Sequence, residues 1–386
     1  ETLLEQRLDQ SRIEQLERCA AAYLKRACGQ REGLYYVARG SFALILRCGS
    51  RERAERRMAV LMEELNTQLT GVRREYAGLI RAGVCALGEE RSLSGETALS
   101  HALQGRRDAE ARGLPYAFTT PQLIAAGARQ ERLRRRCAEA VARGELTPYL
   151  QLVMDRQGRV NGAELLSRWQ EPEEGLLRPG EYLDLMIASG VIVRHDLEIF
   201  RMTCRLLEQW SGLPGREKLR LACNFTRAAL AEPGFAEQVR RIAAGASFPR
   251  EQLILEITED TLIRSEGAVR ENILELTAMG FCMALDDLGA GYSSLEDLCA
   301  YPIQFVKLAR ELVRRTAEER GRRLVAGLCQ LAHSMDMQVL CEGVETREQL
   351  ETVLEQGCDL IQGFYYARPL PLREAERRLQ EMQGKA

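Results

Sequence analysis

Phe281-Cys282-Met283-Ala284-Leu285-Asp286-Asp287-Leu288-Gly289-Ala290-Gly291-Tyr292-Ser293-Ser294 decides the fold: a short apolar run ends in two adjacent aspartates and a glycine-rich segment. An apolar run this short, closed by charge and glycine, reads as a strand buried on both faces. The same build recurs along the chain. Strand-like runs fall at Tyr149–Met154, Ala163–Trp169, Leu219–Phe225, Leu253–Ile257, Phe281–Asp287, Phe305–Leu308, Gln338–Cys341 and Leu360–Phe364. Segments between them, such as Gly267–Met279, Glu318–Met335 and Arg347–Glu355, have helical apolar spacing. Strands alternating with helices predict parallel pairing through right-handed crossovers. Eight such strands in residues 131–386 predict an α/β fold, a (β/α)8 TIM-like barrel. A doubly wound open sheet is the alternative arrangement of the same elements.

Seven of these strands place an acid, amide or amine at or near the C-terminal end. The residues are Glu164, Asn224, Glu256, the pair Asp286-Asp287, Lys307, Glu342 and Gln362. In a barrel those ends converge on one mouth, where the active sites of this fold sit. Singly, each has a structural explanation: a turn former or helix cap for the acids, a satisfied amide for Asn224 and Gln362, a snorkelling amine for Lys307. Jointly they point elsewhere, because gathering so many carboxylates is costly unless cations compensate. Oxygen ligands with one amide suit magnesium or manganese, and adjacent Asp286 and Asp287 could each lean toward a different ion. Two ions so placed stabilise both the attacking and the leaving oxygen in a displacement at phosphorus. The loop Leu288–Ser294 reads as a mobile gate, with a phosphate cradle and a plain turn as alternatives.

Upstream, Glu5–Cys28 is helical, Tyr35–Arg47 gives two short strands around Gly40, Arg53–Glu75 is helical, Ala82–Leu87 is strand-like and Gly95–Arg112 is helical. This is a small α+β pattern over residues 1–113 whose opening strand would lie before Glu1. Residues 114–130, with two prolines, read as a linker.

The 54 basic and 56 acidic residues nearly cancel, which argues against DNA or RNA polymers as partners. No apolar stretch approaches the roughly 18–20 residues of a membrane span. The chain lacks a starting methionine and is expected to be a piece of something longer. A cytoplasmic location is expected, with room for a membrane anchor upstream. Twelve cysteines are scattered without C-x-x-C spacing and read as small buried hydrophobes in a reducing compartment. His101, His195 and His333 are far apart and give no zinc pattern.

Taken together, residues 131–386 resemble the EAL family of bacterial cyclic di-GMP phosphodiesterases. Glu164-Leu165-Leu166-Ser167-Arg168-Trp169 resembles the family's E-A-L-x-R-W, and Asn224-Phe225-Thr226 its N-x-S. Leu255-Glu256-Ile257-Thr258-Glu259 resembles L-E-I-T-E, and Asp286 to Ser294 resembles D-D-F-G-T-G-Y-S-S. Glu342-Gly343-Val344-Glu345-Thr346 and Gln362-Gly363 complete the set. The resemblance implies hydrolysis of cyclic di-GMP to linear pGpG with two Mg2+ or Mn2+ ions. Glu164, Asn224, Glu256 and Asp286 would hold one ion, and Asp286 with Asp287 would reach the second. Lys307, Glu342 and Gln362 would position and activate the attacking water, and Glu259 would clamp the glycine-rich loop. Arg168, Gln151 and Leu166 would contact the dinucleotide, and a homodimer would form through barrel helices near residues 287–294. Where the family has K-I-D, this chain has Lys307-Leu308-Ala309. That departure keeps a second function open, a non-catalytic cyclic di-GMP receptor. Residues 1–113 are similar to a GGDEF diguanylate cyclase domain, but Ala38-Arg39-Gly40-Ser41-Phe42 replaces its signature and removes both acids. No cyclase activity is expected from it.

Overall fold

The computed structural model describes residues 8–87, 93–262, 267–289 and 295–383. The chain divides into two compact units, Glu1–Arg132 and Leu133–Ala386.

In the first unit, helix Gln10–Ala27 starts where Asp9 accepts a hydrogen bond from Arg12 N, and it buries Ile13, Leu16, Ala20 and Leu24 at helical spacing. Strands β1 (Gly33–Ala38) and β2 (Ser41–Ile45) form an antiparallel hairpin, turning at Gly40 with φ 72°. Helix Arg51–Val72 is capped by Ser50 and packs Met58, Leu61, Leu65 and Leu69 into the same core. Strand β3 (Ala82–Val84) pairs in parallel with β4 (Tyr116–Phe118) across helix Gly95–Ala111. The expected linker is therefore structured. It supplies β4, and helix Pro121–Ala142 begins within it and runs past residue 131. Pro121 stands at the helix start, where its missing N–H costs nothing.

In the second unit the strands are β5 (Leu146–Asp155), β6 (Val160–Glu171), β7 (Gly175–Leu177), β8 (Arg220–Asn224), β9 (Leu253–Thr258), β10 (Cys282–Leu288), β11 (Phe305–Leu308), β12 (Gln338–Cys341), β13 (Leu360–Gln362) and β14 (Leu370–Pro371). Eight of them close a ring in the order β5-β6-β8-β9-β10-β11-β12-β13, with β13 returning to β5. The pairs from β6 round to β13 are parallel. Strand β5 is not: it runs antiparallel to both β6 and β13. The tight turn at Asp155–Gly158 is far too short for a crossover and fixes this reversal. Helices such as Ile192–Ser211 and Glu319–Ser334 cover the outside. Cys341 and Cys358 bring their sulfurs together, and the other ten cysteines are free. No helix among the described residues is long and apolar enough to cross a membrane.

Candidate functional site

The barrel interior is filled in layers, because alternate residues of each strand point inward. One buried layer is apolar: Val153, Ala222, Ile254, Ala284, Phe305, Leu340 and Leu360. Two residues further toward the mouth, the same strands carry Gln151, Asn224, Glu256, Asp286, Lys307, Glu342 and Gln362. On β6 the pair is Gly162 and Glu164. Gly162 lies so close to β8 that a Cβ would fall 2.2 Å from the Arg220 carbonyl oxygen. Each strand thus changes from apolar to polar at one step, and the polar layer is the candidate site. Glu164 departs from expectation in one respect: it sits mid-strand, since β6 continues to Glu171 and pairs there with β7.

Lys307 is the centre of this layer. Its Nζ lies 2.7 Å from Glu342, 3.0 Å from Glu256, 3.1 Å from Asp286 and 3.5 Å from Glu164. Asn224 Nδ2 donates to Glu164 Oε1 at 2.8 Å and to Glu256 Oε2 at 3.1 Å. Gln362 Nε2 donates to Glu164 Oε2 at 2.7 Å and to Gln151 Oε1 at 3.2 Å. The fold therefore brings Gln151, Glu164, Asn224, Glu256, Asp286, Lys307, Glu342 and Gln362 into one network. Asp287 stands beside it at the exposed rim. Its backbone is left-handed, φ 58°, and its N–H donates to Asp286 Oδ1 at 2.9 Å.

The electrostatics are those of too many anions for one cation. Burial opposes charge on Lys307, but the carboxylates of Glu164, Glu256, Glu342 and Asp286 hold its ammonium well above the usual lysine range. Burial also raises the Glu164 carboxyl, but Lys307 and the hydrogen bonds from Gln362 and Asn224 outweigh it and keep Glu164 ionised. Glu256 goes the other way, pushed well up by burial and by Glu164. Burial lifts Glu342 to about 7 against the pull of Lys307, and burial and Asp286 raise Asp287.

These residues fit divalent cations. Oxygens of Asp286, Asp287 and Glu342 lie within 4.8 Å of one another. Gln362 Oε1 is buried with no hydrogen-bond partner, and the burial and neighbouring acids that raise Glu256 are a load that a cation would relieve. The donors are hard oxygens, as magnesium and manganese prefer.

Above this layer, Leu166 and Arg168 follow Glu164 on the same face of β6, Arg168 about 13 Å further along. The Arg168 guanidinium lies over the Tyr149 ring at 5.3 Å and donates to the Ser167 carbonyl at 2.8 Å. Glu259 is buried in the short helix Glu259–Leu262 directly after β9. Residues 290–294 of the expected gate, and with them part of the expected dimer region, lie outside the described residues. Sequence reasoning missed His195, Asp196 and Ser167, which form a buried chain behind the mouth. They sit on outward or helical faces, where polar residues at single positions carry no periodic signal.

Fold and site together define the class: a closed barrel of strands and helices with an acidic centre in its mouth. Residues 134–369 match the family model of the EAL domain, and the chain belongs to that family. Among relatives, the cyclic di-GMP phosphodiesterase RocR of Pseudomonas aeruginosa is 32% identical over 238 residues, covering 59% of this chain and 58% of that protein. The bifunctional diguanylate cyclase/cyclic di-GMP phosphodiesterase MucR of the same organism is 30% identical over 288 residues, 74% of this chain and 41% of MucR. The chain thus spans less than two thirds of either relative. Among solved structures, the MucR phosphodiesterase in complex with c-di-GMP superposes with a TM-score of 0.59 at 30% identity, covering 63% of this chain and 99% of that one. The FimX EAL domain of the same organism, at 20% identity and a TM-score of 0.57, shares the fold.

Proposed function

We propose that this chain is a metal-dependent phosphodiesterase that opens cyclic di-GMP to linear pGpG. The observation that carries the reading is the meeting of four carboxylates at one buried lysine, with Asp286, Asp287 and Glu342 grouped at its edge. Glu164, Asn224, Glu256 and Asp286 would hold one Mg2+ or Mn2+ ion, and Asp286 with Asp287 a second. When bound, such ions neutralise charge on the reacting phosphate and lower the pKa of water.

The chain's own groups do the rest. Lys307 would donate to the attacking water, and its ammonium holds the mutually repelling carboxylates together. Glu342, 2.7 Å from Lys307 Nζ, would accept the proton of the attacking water. Gln362 fixes Glu164 through Nε2 and has Oε1 free to orient the water. Arg168, preset over Tyr149, meets a phosphate, while Leu166 and Gln151 line the dinucleotide's approach. Glu259, at the helix after β9, holds the glycine-rich loop.

Chromatographic detection of pGpG after incubating the purified chain with cyclic di-GMP and Mn2+ tests the reading. Turnover in wild type and its loss in Glu164→Gln support it. Binding without turnover would establish the second reading, a receptor, which Ala309 in place of the family's acid favours. The first unit acts as a non-catalytic partner, and GTP should give no cyclic di-GMP. The match to MucR, at 288 residues, is longer than the EAL span and supports a degenerate GGDEF-like origin for part of that unit. We assign self-association to the barrel helices near residue 287.

A further inference from the structure

Behind the mouth runs a buried polar chain that none of the roles above uses. Tyr182 Oη lies 2.5 Å from Ser167 Oγ, and Ser167 Oγ lies 3.1 Å from His195 Nε2. His195 Nδ1 is 2.8 Å from Asp196 Oδ1, and Asp196 Oδ2 accepts from both Thr226 N and Thr226 Oγ1 at 2.8 Å. Ser167, Tyr182, His195 and Asp196 are all buried. Ser167, His195 and Asp196 have the connectivity of a hydrolytic triad, but the Ser167 hydroxyl is spent between Tyr182 and His195 and faces the helices. It attacks nothing.

What the chain does touch is the turn that follows Asn224. Thr226 caps helix Arg227–Leu230 by accepting from Ala229 N, so its hydroxyl has one hydrogen, and Asp196 takes it. Phe225 N is meanwhile tied to the Glu256 carbonyl at 2.9 Å. The backbone on the far side of Asn224 is thus held at two points, by β9 and by Asp196. One hydrogen-bond pattern satisfies every member: Tyr182 to Ser167, Ser167 to His195 Nε2, His195 Nδ1–H to Asp196, and Thr226 to Asp196. Reversing it would set the bare Nδ1 lone pair of His195 against the Asp196 carboxylate and take Ser167 away as the acceptor for the buried Tyr182 hydroxyl.

We infer that Asp196 is a positioning residue for the metal centre: it fixes the Asn224 side chain through Thr226, with His195 and Ser167 locking its orientation to β6. The inference rests on the reading of Asn224 as a metal ligand. Partners that orient ligands typically change metal affinity 10–100-fold when removed.

The test is Mn2+ titration by calorimetry on the metal-stripped full chain, with cyclic di-GMP kinetics and melting curves on the same samples. Thr226→Val deletes the hydroxyl donor at nearly constant volume, Thr226→Ser restores it, and Asp196→Asn removes one acceptor. Expected is an Mn2+ dissociation constant raised about tenfold or more in Thr226→Val and Asp196→Asn, and near wild type in Thr226→Ser. In both weakened variants kcat should fall while KM for cyclic di-GMP holds. If Asp196→Asn does not fold, the valine and serine pair decides. Wild-type Mn2+ affinity in folded Thr226→Val overturns the inference and leaves the hydrolase reading intact. A wild-type chain that takes up no Mn2+ overturns the hydrolase reading, and this inference with it.

Discussion

At Lys307 one ammonium faces four carboxylates, and its removal has a consequence that depends on metal. Without ions, Lys307→Met leaves buried anions uncompensated, at a cost of about 3–5 kcal/mol. Urea denaturation in EDTA should show that loss, and Mn2+ should recover part of it. An equal loss with and without Mn2+ would mean that no cation shares the lysine's place. Glu342 gives the pH dependence. Its folded pKa of about 7 lies above the ordinary 4.5, so the folded state holds this proton more tightly. That contribution is complete below about pH 4.5 and is lost as pH rises through 7, up to about 3 kcal/mol for this one group. Metal-free stability should therefore fall between pH 5 and 8, with a shallower slope in Glu342→Gln. Mn2+ uptake has the opposite sign, because it displaces the proton: affinity should climb to about pH 7 and then level. Ala309 stands where the resemblance to the family's K-I-D leads one to expect an aspartate. It is buried and precedes helix Arg310–Arg315 without a side-chain cap. Ala309→Asp should raise kcat about tenfold if that carboxylate orients Lys307. An unchanged or lower kcat would place the limitation elsewhere.

Strands explain both what the sequence revealed and what it hid. The apolar runs and their polar closers were legible because each strand steps from one interior layer to the next at a fixed period, as at Ile254 and Glu256 or Phe305 and Lys307. The direction of β5 was not read, although the few residues between Met154 and Val160 could never have held a crossover helix. Its apolar pattern is the same in either direction, so only the length of the connection carries the information. The long β6 hid the position of Glu164 for a similar reason, since a hairpin may continue past the mouth. The centrality of Lys307 and the chain through Asp196 depend on side chains meeting from different elements, which spacing along one element does not record. Gly162 offers an element-scale test. It is the inner-layer residue under Glu164, and β8 approaches so closely that no side chain fits. Gly162→Ala should cost about 1–3 kcal/mol by forcing β6 from β8. It should also weaken Mn2+ binding, since Glu164 moves with the strand. Stability and affinity near wild type would show that the strands part without strain.

At the scale of the whole molecule, each unit has its own hydrophobic core, one around Leu16, Leu65 and Leu69, the other surrounding the barrel strands. Their stabilities should answer to different chemistry. Mn2+ at about 100 times its dissociation constant adds about 2.7 kcal/mol to the unit that binds it. For a unit the size of the barrel this is a rise of about 5–10 °C in melting temperature. The first unit is held instead by Glu32, which accepts from Gly29 N and Arg47 N at 2.7 Å and pairs with both Arg57 Nη atoms. The Arg57 bonds draw the Glu32 carboxyl down to about 2. A depressed carboxylate stabilises above its ordinary 4.5 and is lost as pH falls through the folded value. Glu32→Gln should therefore cost the first unit about 1–3 kcal/mol near neutral pH, and less as the solution is acidified. Calorimetric scans of four samples, wild type and Glu32→Gln with EDTA or Mn2+, separate the effects. Mn2+ should raise only the barrel's transition, and Glu32→Gln should lower only the other. A single transition that moves as one under both changes would mean that the two cores unfold together, and the ion's stabilisation would then reach residues that never touch it.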